Sequence, residues 1–128
     1  MKLLLDTHLL LWIITGDTSL SAEARKLIED AQNELLFSVV NIWETAIKHS
    51  LGRQGFLFEA RSVRRSLLQH GFREIEITSE HAIVAAALPP IHRDPFDRLL
   101  IAQATVENAL LLTSDKIIVR YPGDVRGV

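Results

Sequence analysis

The chain has 128 residues, 48% hydrophobic and 23% charged, which suits one domain spanning 1–128 and excludes a disordered chain, a collagen-like chain and a coiled-coil rod. Its net charge of −2 means that a nucleic-acid partner would need a locally basic patch. Cysteine is absent, which excludes disulfide scaffolds, Cys-ligated zinc, iron–sulfur centres and thiol nucleophiles, and fits a cytoplasmic protein. The longest apolar run, Ala82 to Leu88, is far short of the ~20 residues that span a bilayer. Asp6 and His8 interrupt the leucine-rich start, so neither a signal peptide nor a membrane partner is expected.

In chain order, Lys2 to Leu5 reads as a short buried strand ending at Asp6. Thr7 to Thr15 follows as a helix stopped near Gly16, and Ser21 caps a helix from Ala22 to Ala31. Glu34 to Ser38 is a second apolar strand. Val40 to Leu51 is helical, with Ile42, Trp43, Ala46 and Ile47 expected inward. Phe58 to Gln69 is a further helix, and Arg73 to Ile77 alternates as an edge strand. Thr78 or Ser79 caps a helix through Leu88, which Pro89-Pro90 ends. Asp94-Pro95 opens a helix to about Asn108. Ala109 to Thr113 is an apolar strand before Ser114-Asp115, and Ile117 to Val119 is expected as one more short strand.

Short apolar strands alternating with helices predict a mostly parallel sheet covered on both sides, an α/β chain. In such sheets ligands bind beyond the carboxyl ends of the strands, where Asp6, Ser38 and Asp115 would share a rim. Four acidic residues then matter: Asp6, Glu44, Asp97 and Asp115. Each has a structural reading. Asp6 and Asp115 suit helix caps, Asn41 and Glu44 the spacing of a capping box, and Asp94 and Asp97 a helix start. Brought together, they would repel, and a hard divalent cation such as Mg²⁺ or Mn²⁺ would relieve the repulsion and could activate water against a phosphate.

The same residues carry a family resemblance that spans nearly the whole chain. Leu3-Leu4-Leu5-Asp6-Thr7-His8 with Leu11-Trp12, Ser38 through Trp43-Glu44, His92-Arg93-Asp94-Pro95-Phe96-Asp97-Arg98, Leu112-Thr113-Ser114-Asp115 and Tyr121-Pro122-Gly123 resemble, in order, the motifs of PIN-domain nucleases. They resemble in particular the VapC-like toxins of bacterial type II toxin–antitoxin pairs. The resemblance implies a three-layer α/β/α sandwich and Mg²⁺-dependent cleavage of RNA, leaving 5′-phosphate and 3′-hydroxyl ends. It implies a metal site and catalytic quartet of Asp6, Glu44, Asp97 and Asp115, a homodimer and an antitoxin partner. Thr7, Ser38 and Ser114 match its small polar positions near the metal. The tail Asp124-Val125-Arg126-Gly127-Val128 departs from the apolar closing strand of the subgroup.

Beside these motifs, Lys48 lies one turn after Glu44, placed either to pair with it or to contact a phosphate. Arg93 and Arg98 flank the third motif as phosphate candidates, while Arg61, Arg64 and Arg65 share a helix face that suits solvent or an RNA backbone. His8 and His92 lack the spacing of a zinc pair, and His49, His70 and His81 are expected at the surface. Leu9, Leu10, Trp12, Ile13, Leu35, Phe56, Leu57 and Phe58 exceed what a small core needs, and some are expected to line a groove for an amphipathic antitoxin helix. A receiver-like signalling module and a catalytically silent PIN-like scaffold are the alternatives. A receiver needs paired early acids where this chain has only Asp6, and the intact quartet argues against silence.

Overall fold

The structure, a computed structural model, describes residues 1–52 and 56–128. Its strands are β1 (Lys2–Leu5), β2 (Glu34–Ser38), β3 (Arg73–Ile75), β4 (Leu110–Thr113) and β5 (Val125–Gly127). Its helices are α1 (Thr7–Thr15), α2 (Ala22–Glu29), α3 (Val39–Ser50), α4 (Ala60–Gln69), α5 (Ser79–Ala87) and α6 (Pro95–Val106). All strand pairs are parallel, in the order β3-β2-β1-β4-β5. This is an α/β sandwich with an entirely parallel central sheet.

The leucine-rich strands explain the layering. Successive side chains of a strand point to opposite faces, so an apolar residue at every position demands cover on both. Leu3, Leu5, Phe37 and Leu112 face one core, which Leu9 and Leu10 of α1, Ala24 of α2 and Leu67 of α4 complete. Leu4, Leu36 and Leu111 face the other, filled by Leu100, Ile101 and Ala104 of α6. The parallel register then brings the carboxyl ends of β1, β2 and β4 to one rim.

Several sequence expectations shift. Ile117 to Val119 is not a strand: Ile118–Arg120 forms a 3-10 helix, started by Asp115, whose Oδ1 accepts from the Ile117 N–H at 2.7 Å. The closing strand is β5, paired with β4 through Val125 opposite Leu111. Helix α6 ends at Val106 because Asn108 takes a left-handed φ of 54° and Ala109 N–H closes on Ala104 O. Helix α4 starts at Ala60, after an extended Glu59, and Phe56 and Phe58 before it meet edge to face at 5.4 Å.

The inward face of α3 is only partly the apolar one expected: Ile42 packs on the core and Val40 is buried, but Ala46 is exposed. Asn41, Glu44 and Thr45 are buried, whereas Trp43 is half exposed, its ring against the edge of Phe96. Helix α3 therefore presents polar groups inward at the rim. His81 is buried rather than at the surface, because its Nδ1 accepts the Thr78 N–H as part of the α5 cap.

Candidate active site

Each carboxylate is placed by an element end or a helix turn. Asp6 follows β1 and caps α1: its Oδ1 accepts from the Leu9 N–H at 3.0 Å. Its Oδ2 takes the Thr113 hydroxyl and the Ser114 N–H at 3.2 Å. Capping and site membership, alternatives in the sequence, are both realised in this one residue. Burial pushes the Asp6 carboxyl above its ordinary value, while those donors and nearby His8 pull it back.

Glu44 belongs to no capping box. The box at the start of α3 pairs Ser38 with Asn41, and Glu44 stands a turn further on. There the Thr7 hydroxyl donates to its Oε1 and the Lys48 ammonium sits 2.8 Å from its Oε2. The Asn41 amide donates to the Thr7 oxygen at 3.0 Å, which fixes the direction of the Thr7 proton toward Glu44.

Asp94 caps α6, accepting the Phe96 N–H at 2.8 Å, with Pro95 at the first helical position. Asp97, one turn in, has its Oδ2 3.0 Å from Nε2 of His92, and the same nitrogen lies 3.5 Å from Oδ2 of Asp115. Asp6, Glu44, Asp94, Asp97 and Asp115 thus line one pocket, with Thr7, His8, Lys48 and His92. Its volume of about 170 Å³ suits a cation with a phosphate group better than a whole nucleotide, because pockets for organic ligands run to about 300–1,000 Å³.

Crowding has an electrostatic consequence. The Asp97 carboxyl is pushed up to about 8, first by burial, then by Asp94, Glu44, Asp115 and Asp6. A metal-free site therefore keeps a proton that an ordinary aspartate would lose. An oxygen-rich set with this much uncompensated charge fits a hard divalent cation. His92, Asp97 and Asp115 lie close enough for one ligand atom from each to reach a common ion.

Not every expected contact reaches this pocket. Ser38 is wholly buried, its hydroxyl accepting the Val40 N–H, so it shapes α3 rather than touching a ligand. Ser114 contributes its backbone N–H to Asp6 and is otherwise exposed. Arg98 turns away. Its guanidinium donates to the carbonyls of Ala85, Leu88 and Pro89 and to the Tyr121 hydroxyl, and a fork so engaged holds the chain after α5 in place. Arg93 is exposed and lines a different depression, beside Ala82 and Ala86 of α5. Arg61, Arg64 and Arg65 flank a separate groove on α4, where Arg64 is paired with Glu74 at 2.9 Å.

Sequence reasoning gave Thr113 and Asn41 no part in the site, yet each orients a carboxylate or its partner. Thr113 holds Asp6 and also accepts the Asp115 N–H at 3.0 Å. The signal for it was its position at the end of β4, two residues before Asp115. Of the apolar residues set aside for a groove, Leu9 and Leu10 are spent in the core. Leu57 is 86% exposed, and it lines a shallow groove with Ile14, Phe58 and Val63.

Comparison with known proteins agrees with this architecture. No curated protein matches the chain significantly in sequence. Among solved structures, VapBC2 of Rickettsia felis bound to a promoter DNA fragment is similar at TM-score 0.69 and 16% identity, covering 99% of this chain and 98% of that one. A toxin–antitoxin complex of Klebsiella pneumoniae is similar at TM-score 0.68 and 20% identity, covering 96% and 94%. VapBC-1 of nontypeable Haemophilus influenzae is similar at TM-score 0.65 and 18% identity, covering 100% and 97%. At such identities the likeness is one of fold. The PIN domain family model matches residues 3–124, which takes in every carboxylate of the pocket, and the chain belongs to that family.

Proposed function

We propose that the chain is a metal-dependent endoribonuclease and the toxin of a bacterial toxin–antitoxin pair. The observation that carries this reading is the convergence of five carboxylates from separate parts of the chain on one pocket, with Asp97 raised to about 8. Nothing in folding requires that repulsion, whereas a site for a divalent cation does. Asp6, Glu44, Asp97 and Asp115 would hold Mg²⁺, with Mn²⁺ as a substitute. When bound, such a cation lowers the pKa of a coordinated water and neutralises charge on a phosphodiester.

The chain's own residues prepare that chemistry. Thr113 and the N–H groups of Leu9 and Ser114 hold the Asp6 carboxylate in one orientation. Thr7 and Lys48 do the same for Glu44. Asp97 keeps a carboxyl proton near neutral pH and gives it up before its oxygen serves as an anionic ligand. Lys48, 23% exposed at the side chain, sets a positive charge beside the pocket and is placed to meet a phosphate. Arg93 and Arg98, the phosphate candidates that flank the third motif, stand outside the pocket.

The partner side of the reading is supported by the fold shared with toxin–antitoxin complexes and by the exposed apolar groove at Leu57 and Phe58, which suits an amphipathic antitoxin helix. A homodimer is part of the same proposal. No helix among the described residues is long and apolar enough to cross a membrane.

The test is incubation of the purified chain with structured RNAs in Mg²⁺, Mn²⁺ or EDTA, with end-group analysis of the products. Cleavage in either metal, none in EDTA, and 5′-phosphate ends support the reading. Full activity in EDTA, or 2′,3′-cyclic phosphate ends, would refute it.

A further inference from the structure

We propose that the groove beside α4 is a second contact surface for RNA, where Arg61 and Arg65 take two phosphates of an unpaired stretch of the strand being cut. The proposal rests on the nuclease reading above and concerns where the substrate gains its affinity.

The need for such a surface comes from charge. Carboxylates crowd the pocket and the chain carries −2 overall, so a polyanion meets repulsion at the site that must act on it. Lys48, at the pocket wall, lies 2.8 Å from Glu44 and shares its charge with that carboxylate. Four arginines are engaged elsewhere: Arg64 with Glu74, Arg73 with Glu34, Arg126 with Glu23, and Arg98 with backbone carbonyls. Arg61 and Arg65 are exposed, and among the described residues neither is engaged in an ion pair like that of Arg64 between them.

The geometry suits a strand of phosphates. Arg61 and Arg65 stand one turn apart on α4, with Cβ atoms about 6 Å from each other. Arg64 donates to both carboxylate oxygens of Glu74, at 2.9 and 3.3 Å, which fixes its guanidinium and leaves the other two free. The groove they border has a volume of about 480 Å³ and is completed by Ala60, Ile42 of α3 and the half-exposed Leu68. No carboxylate lines it. The depression at Arg25 and Lys26 of α2, by contrast, also holds Glu29 and Asp30, which offset its charge. Free guanidiniums attract backbone phosphates, and their planes give unstacked bases a surface to lie on. Helix α3 joins the two places, since Ile42 lines the groove while Glu44 and Lys48 line the pocket. Ile42 and Glu44 lie on opposite sides of a helix about 10–12 Å across, a gap that a short RNA strand bridges.

The test is fluorescence anisotropy of a labelled oligouridine of about 20 nucleotides, titrated with the chain in EDTA over a KCl series. The double variant Arg61→Gln/Arg65→Gln should bind about tenfold more weakly at low salt, and its slope of log Kd against log salt should fall by about 1.4, or about 0.7 for each single-strand phosphate lost. Arg61→Lys/Arg65→Lys keeps both charges and should keep the slope. Arg25→Gln/Lys26→Gln makes the same change in net charge on α2 and should bind as the native chain does. Glutamine and lysine both suit exposed helix positions, so the three variants should fold, which circular dichroism checks. A native slope and affinity in the α4 glutamine variant overturn the proposal and leave the groove to an acidic protein segment. An equal loss in the α2 variant overturns it too, because net charge alone then attracts the RNA. So does a lysine variant that loses as much slope as the glutamine one. Should the native chain neither bind nor cleave RNA, the nuclease reading falls with the proposal; a native chain that cleaves RNA in Mg²⁺ beside an α4 variant with native binding refutes the groove alone.

Discussion

Replacing Asp97 with asparagine should make the metal-free protein less sensitive to rising pH. The Asp97 carboxyl moves from 3.8 to about 8 on folding, so between those values the folded chain holds a proton that the unfolded chain has released. Stability therefore falls as pH rises through this window, by at most about 1.4 kcal/mol per unit, and the loss is complete above pH 8. By pH 7 the difference of about three units amounts to roughly 4 kcal/mol. The side chain is 15% exposed at the pocket mouth, and solvent screening there reduces the expected effect to about 2 kcal/mol. Asparagine is neutral in both states and lacks the penalty. At about 4 °C per kcal/mol for a domain of this size, Asp97→Asn should gain about 6–8 °C on the native chain between pH 4.5 and pH 7.5. The assay is thermal unfolding in EDTA across that range. Melting curves that stay parallel would refute the electrostatic account of the pocket.

Asp94→Asn keeps a good helix cap and removes the neighbour that most raises Asp97, so calorimetry in EDTA at pH 7 should find it at least as stable as the native chain. Thr113→Val preserves shape but strips the hydroxyl from Asp6 and from the Asp115 N–H. Urea unfolding should show a loss of about 1.5–3 kcal/mol, as for hydrogen bonds to charged groups. Arg98→Lys cannot reproduce the fork that bonds Ala85, Leu88 and Tyr121, and should cost about 2 kcal/mol equally in EDTA and in Mg²⁺.

Much of the architecture was legible because β1, β2 and β4 are apolar at nearly every position, which only a doubly covered parallel sheet explains. Helix starts were legible where Ser21, Thr78 and Asp94 offer side-chain caps. The face of α3 was not, because hydrophobic spacing assumes that buried means apolar, and Asn41, Glu44 and Thr45 are buried to serve the rim. The 3-10 turn at Ile118 hid for a related reason. Three apolar residues read as a strand, but the Asp115 carboxylate captures the Ile117 N–H and bends the chain first. The carboxylates of the pocket could be named from their positions at strand ends and helix starts together with the family resemblance. The partners that orient them could not, since Thr7 with Glu44 and Thr113 with Asp6 are joined only by the folded sheet and α3. Arg98 illustrates the opposite error: a basic residue beside an acidic motif reads as a phosphate contact, yet its charge is spent on backbone carbonyls.

The central claim is that these carboxylates bind metal for hydrolysis of RNA. Single-turnover cleavage of a structured RNA over a Mg²⁺ titration, for the native chain, Asp6→Asn and Asp97→Asn, tests it most directly. The account predicts saturable Mg²⁺ dependence in the native chain and rates lower by a factor on the order of 10² or more in both folded variants. Native-like cleavage by either variant, or a native rate independent of Mg²⁺, would contradict it.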